Sequence, residues 1–532
     1  MPRIAILLDS LSVPAWVYES IHQLLKEPQV EIVLAVVNQH PIPSGEKSPF
    51  FYRLYRAIDR RLFLQTPDAF QQKEIGTLPG WNVPVLSVLP FQKKFTDEFR
   101  PEDLEQIRTY QPDLIIRFGF RILKGKILSL APWGVWSFHH GDPGLYRGGP
   151  PAFWEVIKEI PITGCVLMRI NEKLDQGEVL YQSHTQTDPL SVQRNANRIF
   201  WMSASFPLRV IREIMRQGKG KKELSTSQQP IQSPLWKNPR SGALIRGVGK
   251  LILRNLRRKL RERKFSAHWE IGTIAHLPVQ NQVLSVDQIS FFPNPESSKH
   301  YFADPFPFFY QGKQFIFAEL YDKKKSKGRI TLLDQQGNHQ VILEEPWHLS
   351  YPFVFEDQGE IFLLPESAQA GKLWLYKAVN FPGSWERIQV IFPGEAYDPT
   401  LWKTEEGYWL FVNQKAHPAC SPFDELYLYF SSSLLEPYWI AHPQNPIVSD
   451  VRKSRPAGRV FMEKGKLYRP AQDSEMRYGH RIRVMEIMQL SLESYREEEA
   501  FCLEPQENEG ILGSHTLNKM GDQWILDFYS RK

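Results

Sequence analysis

The second half of this chain repeats itself, and a repeat limits the fold more than any single motif does. Tyr301-Phe302-Ala303-Asp304-Pro305-Phe306 is followed, past Gly312, by the aromatic run Phe315-Ile316-Phe317. Leu349-Ser350-Tyr351-Pro352-Phe353 precedes Gly359 and Ile361-Phe362-Leu363-Leu364 in the same way. Tyr397-Asp398-Pro399-Thr400-Leu401 precedes Gly407-Tyr408-Trp409-Leu410-Phe411, and Ser454-Arg455-Pro456-Ala457-Gly458 precedes Gly465-Lys466-Leu467-Tyr468. Gly513-Ser514-His515-Thr516-Leu517 precedes Gly521 and Trp524-Ile525-Leu526. Each copy is a polar residue beside Pro or Thr, a short strand, a Gly turn and an aromatic strand. Spaced roughly 45 to 60 residues apart, the copies predict an all-β five-bladed propeller over residues 274–532.

The first half has a different rhythm. Ile4 to Leu8, Val30 to Val37, Val83 to Val88 and Leu114 to Arg117 are apolar runs of strand length. Pro14 to Leu25 has helical spacing, with Pro14 tolerated in the first turn. Pro101 to Tyr110 opens with charged residues, as a helix start does. Pro189 to Gln217 reads as a closing helix kinked at Pro207. The alternation predicts an α/β doubly wound parallel sheet over residues 1–217, with ligands outside the carboxyl ends of its strands. No Gly-rich phosphate loop follows the first strand, which argues against a dinucleotide cofactor.

Chemistry concentrates between Gly134 and Leu180. A strand, Val135-Trp136-Ser137-Phe138, ends on His139-His140; a loop carries Tyr146-Arg147-Gly148-Gly149, and Pro150-Pro151 opens a helix. A second strand, Gly164 to Ile170, leads to Leu174-Asp175-Gln176-Gly177. A titratable His at a strand end and an Asp on a nearby loop suit proton transfer. The other readings of the His pair are packed histidines or metal ligands. Adjacent strand residues face opposite ways, so the pair suits one metal poorly, and no metal site is expected.

These residues resemble the catalytic domain of 10-formyltetrahydrofolate-dependent formyltransferases. His139, Arg147, Gly148, Thr163, Gly164, Leu174, Asp175 and Gly177 occupy the positions of that family's motif, while Ser137 stands where the family has Asn. The resemblance implies that His139 is the general base or stabilises the intermediate, and that Asp175 orients it. Ser137 is then a shorter oxyanion donor than Asn, working through a water or replaced by His140. It also implies 10-formyltetrahydrofolate as formyl donor. Phe118, Gly119, Phe120, Ile122, Asp142, Arg147 and Gly148 are the expected donor-binding residues, the first four lying in a loop that otherwise reads as a plain strand-to-helix turn.

The repeats in turn resemble the N-terminal domain of glucosamine inositolphosphorylceramide transferases and, more distantly, furanoside-acting glycosidase propellers. The residues that carry this are Ala303-Asp304-Pro305, Ser350-Tyr351-Pro352, Pro365-Glu366-Ser367, Asp398-Pro399-Thr400, the run Arg455 to Arg459 and Tyr468-Arg469-Pro470-Ala471-Gln472-Asp473. The resemblance implies a channel mouth where Asp304, Asp398, Arg455 and His515 gather, joined by Glu319, Glu366, Arg469 and Asp473. Carboxylates flanked by arginines and aromatic rings suit a glycan. The same residues also read as a hydrogen-bonded network at strand ends. Tyr351 stands where a hydrolase of this kind would have Asp, which weakens a hydrolytic reading.

Between the halves, residues 218–273 read as a linker with a basic helix. Leu251, Ile252, Leu256 and Leu260 share one helical face, with Arg254, Arg257, Arg258, Arg261 and Arg263 around it. Such a helix packs on a neighbouring domain or lies on an anionic membrane, so residues 246–264 are a candidate membrane contact. The net charge of +6 is too mild for 532 residues to argue for nucleic acid. Cys165, Cys420 and Cys502 lie far apart, as in a reducing compartment. A cytoplasmic protein, peripheral to the inner membrane face through the basic helix, is expected. The reading is an enzyme that formylates the amine of an amino sugar or glycan precursor, the propeller recognising the glycan. Its rivals are a non-catalytic glycan-binding protein and a glycosidase acting through the propeller.

Overall fold

The computed structural model describes residues 1–40, 49–145, 147–172, 177–218, 233–264, 267–277 and 283–531. Residues 219–232 of the expected linker lie outside them, as do Tyr146, Leu174, Asp175 and Gln176. The chain divides into two compact units. One is Met1–Asn255 with Ala416–Ser421, and the other is Leu256–Lys415 with Pro422–Lys532.

The first unit is built on a seven-stranded sheet. Its order is Glu178–Gln186, Ile162–Arg169, Val135–His139, Leu114–Arg117, Arg3–Leu8, Glu31–Asn38, Val85–Val88. Period-two alternation divides the sheet into two buried faces. Ile4, Ile6 and Leu8 join helices α1 (Ala15–Lys26), α5 (Val192–Ser203) and α6 (Phe206–Gln217) on one face. Ala5 and Leu7 join Leu104 and Ile107 of α3 (Pro101–Thr109) on the other.

Four expectations need correction here. The sheet is mixed, because Ile162–Arg169 runs antiparallel to both its neighbours. The link between its last two strands is too short for a crossover helix, and an antiparallel pair is what such a link permits. The closing helix is two helices, with Pro207 in the first turn of α6, where no backbone donor is lost. Helix α4 (Phe153–Lys158) starts after Pro150-Pro151, capped by Ala152 at φ 60°. In the basic helix α7 (Ser241–Lys264), Leu244 and Leu251 are buried with Val248 packed beside them, whereas Ile252, Leu256 and Leu260 are exposed. The buried stripe is therefore offset from the expected one. A further helix, α2 (Phe50–Phe63), was not anticipated.

In the second unit each repeat begins its own sheet, antiparallel except for one short parallel edge pair in the fourth. The first runs His300–Tyr310, Lys313–Asp322, Lys327–Leu333, His339–Leu343. The next two start at Ser350–Asp357 and Tyr397–Lys403, and the fourth at Arg455–Pro456. The fifth combines both ends of the unit, because Ala267–Ile274 pairs with Gln523–Arg531. Asp304, Tyr351 and Asp398 sit in register, each at a bulge before Pro and each in the left-handed region, with φ of 49°, 49° and 47°. Residues before Pro avoid helical backbone, and bulky residues avoid positive φ, so each such site costs about 1–3 kcal/mol.

What holds them is side-chain acceptors and donors from neighbouring sheets. The Asp527 carboxylate accepts from the Asp304 N–H (3.0 Å), Asp304 from the Tyr351 N–H (3.1 Å), and Glu366 from the Asp398 N–H (3.0 Å). Fully buried Tyr351 bonds Thr400 Oγ1 of the third sheet (2.8 Å), and its oxygen accepts the Gly458 N–H (2.8 Å). The Leu517 N–H donates to Ala457 O (2.7 Å), and Asn518 Nδ2 to Pro305 O (2.9 Å), so the fourth, fifth and first sheets are also joined. Replacing Tyr351→Phe strands a buried donor at Gly458. The change should destabilise the sheet-rich unit by about 1–3 kcal/mol. Urea unfolding followed by tryptophan fluorescence measures this, and an unchanged midpoint would show that the hydroxyl joins nothing.

Candidate functional site

Strand Val135–His139 places the candidate chemistry. Trp136 and Phe138 face the α1 and α5 side, and Ser137 and His139 face the other. Ser137 pairs in register with Arg117 and His139 with Val166. Arg117 donates through Nη1 to Ser137 Oγ (2.8 Å) and through Nη2 to Phe120 O (2.8 Å). A guanidinium has only donors, so Ser137 accepts here and keeps its own hydrogen for another acceptor. Arg117 was visible in the sequence only as a strand-ending residue; its partner depends on sheet order.

His140 is excluded as a substitute oxyanion donor. Its ring stacks 3.6 Å from Phe200, its Nε2 lies 3.0 Å from Ser203 Oγ, and burial pulls its proton affinity down to about 3, His139 adding to the effect. It is a neutral core histidine. Asp175, the expected partner of His139, lies outside the described residues.

The loop after Leu114–Arg117 is shaped by Asp9. Its carboxylate accepts the Phe120 N–H (2.6 Å), with Phe120 at φ 64°, and a Cβ on Gly119 would lie 2.4 Å from the Asp9 nitrogen. Only glycine fits at 119. Phe118 stacks on Phe138 at 5.5 Å, while Phe120 is buried against Phe99 at 5.2 Å, its N–H taken by Asp9 and its carbonyl by Arg117. Ile122 is half-buried at the start of a short strand pairing with Thr96–Glu98.

Asp142 lies beyond the strand end. Its carboxylate accepts the Gly144 N–H (2.7 Å) and meets His184 Nε2 at 3.0 Å. Gly164 makes room for it, since a Cβ there would come within 2.7 Å of Asp142 Cβ. His184 was not anticipated; register with Gly164 brings it across. Arg147 and Gly148 form a short ladder with Leu235–Trp236, and Arg147 Nε donates to Ser233 O (3.1 Å). The Arg-Gly pair thus anchors the segment after the linker.

Glu155 was also missed. It is fully buried in α4, and both carboxyl oxygens lack a hydrogen-bond partner among the described residues. Burial, with Asp142 adding to it, pushes its proton affinity up to about 8, so it is neutral at neutral pH.

In the second unit Asp304, Glu319, Glu366, Asp398, Arg455 and His515 do come together. Arg455 Nε and Nη2 grip Asp398 at 2.5 and 3.1 Å, with Nη2 3.4 Å from Glu366. Gln472 adds a bond to Asp398 (2.8 Å). His515 sits between Asp527 (2.7 Å) and Asp304 (3.4 Å); burial works against its charged form, yet the two carboxylates outweigh it and raise its proton affinity. Burial and neighbouring carboxylates push Glu319 and Glu366 well up. The rings of Tyr397, Phe423 and Tyr478 lie 5.8, 4.7 and 5.3 Å from the Arg455 guanidinium. Arg469 and Asp473 do not join. Arg469 pairs with Glu497 (2.7 Å), and Asp473 is held by Arg481 (2.7 Å) and Arg483 (2.8 Å), because their side chains leave the strand away from the cluster.

Residues 57–199 match the Formyl transferase family, and residues 260–512 match the family described as Glucosamine inositolphosphorylceramide transferase 1, N-terminal. The chain therefore joins a region that matches the Formyl transferase family to a region that matches that second family. Among its relatives, Glucosamine inositolphosphorylceramide transferase 1 of Arabidopsis thaliana is 37% identical over 236 residues, covering 43% of this chain and 30% of the relative. Methionyl-tRNA formyltransferase of Desulfotalea psychrophila is 40% identical over 96 residues, covering 18% and 28%. The chain thus spans about a third of the length of these relatives. Similar solved structures include glycinamide ribonucleotide transformylase 1 of Symbiobacterium toebii (15% identity, 42% of this chain and 92% of that one, TM-score 0.29). The GH62 α-L-arabinofuranosidase catalytic domain of Coprinopsis cinerea is another (13%, 50% and 98%, TM-score 0.34).

The raised proton affinity of Glu155 sets a pH dependence. Its contribution to stability is full below the ordinary glutamate value of 4.5 and is lost as pH rises toward about 8, because only the unfolded chain ionises there. Glu155→Gln should flatten the fall in melting temperature between those pH values. A variant that falls as steeply as the parent would place the titration elsewhere.

Proposed function

We propose that this chain transfers a formyl group from 10-formyltetrahydrofolate to the amine of an amino sugar or glycan precursor. The observation that carries the reading is His139 at a strand end, on the same face as a Ser137 hydroxyl held by Arg117, inside a formyl transferase domain. The neutral amine attacks the formyl carbon, its C–N bond forms, and the carbonyl oxygen takes negative charge. Ser137 donates to that oxygen, and the Arg117 charge behind it strengthens the donation. His139 takes the proton lost by the amine, the carbonyl re-forms as the bond from carbon to the folate nitrogen breaks, and His139 passes its proton to that nitrogen. Asp175 orients His139 in this scheme. The Phe118 to Ile122 loop, with Asp142, Arg147 and Gly148, holds the donor.

In the same reading the five sheets are blades of a propeller, because hydrogen bonds join them in turn and the fifth sheet pairs strands from both ends of the unit. Its mouth recognises the glycan through the rings of Tyr397, Phe423 and Tyr478 beside Arg455. Binding is favoured over hydrolysis there. Both oxygens of Asp398 are taken by Arg455 and Gln472, and those of Asp304 by Thr516 and Tyr351, leaving neither free for chemistry.

His139→Ala should lower turnover by about 10²–10⁴-fold with folding intact. Ser137→Asn should keep or raise the rate. Parent-like turnover in the first variant ends the assignment of His139. A large loss in the second removes Ser137 from the oxyanion site.

A further inference from the structure

Helix α2 leaves an apolar face uncovered. Phe50, Leu54, Ile58 and Leu62 recur every fourth residue, so they form one row, and they are 64%, 47%, 50% and 69% exposed. The opposite side is fixed to the unit. Tyr52 and Tyr55 pack on Phe153, and buried Asp59 accepts the Gln193 N–H (2.7 Å). That anchoring fixes which side of α2 faces out. The exposed row is therefore a property of the folded unit.

Helix α7 repeats the arrangement. Leu244, Val248 and Leu251 pack on the cluster around Phe153, Trp154 and Ile157 that also receives Tyr52 and Tyr55. Gly247 lets α7 approach closely, since a Cβ there would lie 2.6 Å from Ile157 Cγ2. Ile245, Ile252 and Leu256, at i, i+7 and i+11, are left exposed on a separate stripe.

Charge selects the partner. Arg53 and Arg61 of α2 and Arg246, Lys250 and Arg257 of α7 are exposed. The only acid in α2 is the buried Asp59, and α7 has none between Ser241 and Leu260. Exposed large apolar rows beside unopposed basic residues are the pattern of helices lying in a bilayer interface. A protein groove would not require exposed cations on both helices with no acid beside them. No described helix is long and apolar enough to cross a membrane.

We propose that α2 and α7 are a pair of interfacial helices through which this chain docks on an anionic phospholipid surface. The apolar rows enter the boundary between headgroups and acyl chains, and the arginines and lysines meet lipid phosphates.

Sedimentation of the full chain with vesicles tests this, using phosphatidylcholine alone and phosphatidylcholine mixed with phosphatidylserine. Binding is expected with the mixed vesicles, weakening as salt rises. The doubles Leu54→Ser with Ile58→Ser, and Ile252→Ser with Leu256→Ser, should each reduce it by about tenfold. Reversing charge with Arg53→Glu and Lys250→Glu should do the same, and guards against a serine variant that misfolds. Equal binding to both vesicle types overturns the proposal, as does binding that survives all three variants. So does a soluble dimer, broken by the same variants, that ignores vesicles.

Discussion

Carboxylates that accept backbone N–H groups hold the strand ends of this protein, and both candidate sites depend on them. Asp9 fixes the left-handed Phe120 N–H, and Asp142 fixes the turn at Gly144. Asp527 takes the N–H groups of Asp304, His515 and Thr516, and Glu366 takes that of Asp398. A carboxylate bonded to several N–H groups offsets the strain of positive φ where sterics disfavour it. Removing one such acid would release a strained turn and leave buried donors without acceptors at the same time.

Strand periodicity then decides which side chains meet. Five residues ending at His139 send Ser137 and His139 one way and Phe138 and His140 the other. Two adjacent histidines therefore serve different ends, one within the candidate site and one in the core. The repeats follow the same logic, where register places Asp304, Tyr351 and Asp398 at equivalent bulges. Tyr351 departs from its acidic counterparts because it ties three sheets together through one hydroxyl.

The repeat and the apolar strands were legible because both are short-range patterns with a fixed period. Pro207 misled, since proline signals an interruption without saying whether a helix bends or a new one starts. Arg117 and His184 escaped because each acquires its role from a residue distant in sequence, and Glu155 because packing alone buries it. Arg469 and Asp473 were expected in the acidic cluster as part of the run Tyr468 to Asp473, and of that run it is Gln472 that reaches Asp398. Their own side chains are claimed by arginines and a glutamate across the sheet, and cross-strand pairing of that kind is invisible along a single strand. The outward rows of α2 and α7 were hard to read for a related reason. Helical spacing shows that a stripe exists, while packing decides which of two stripes is buried.

Transfer of labelled formyl carbon tests the central claim most directly. The full chain would be given 10-formyltetrahydrofolate labelled in the formyl group and a panel of free, nucleotide-linked and lipid-linked amino sugars. The account predicts that label appears in the amide of an acceptor as tetrahydrofolate forms in equal amount. Label released as formate at the same rate with and without acceptors, or label that never leaves the folate, would contradict it.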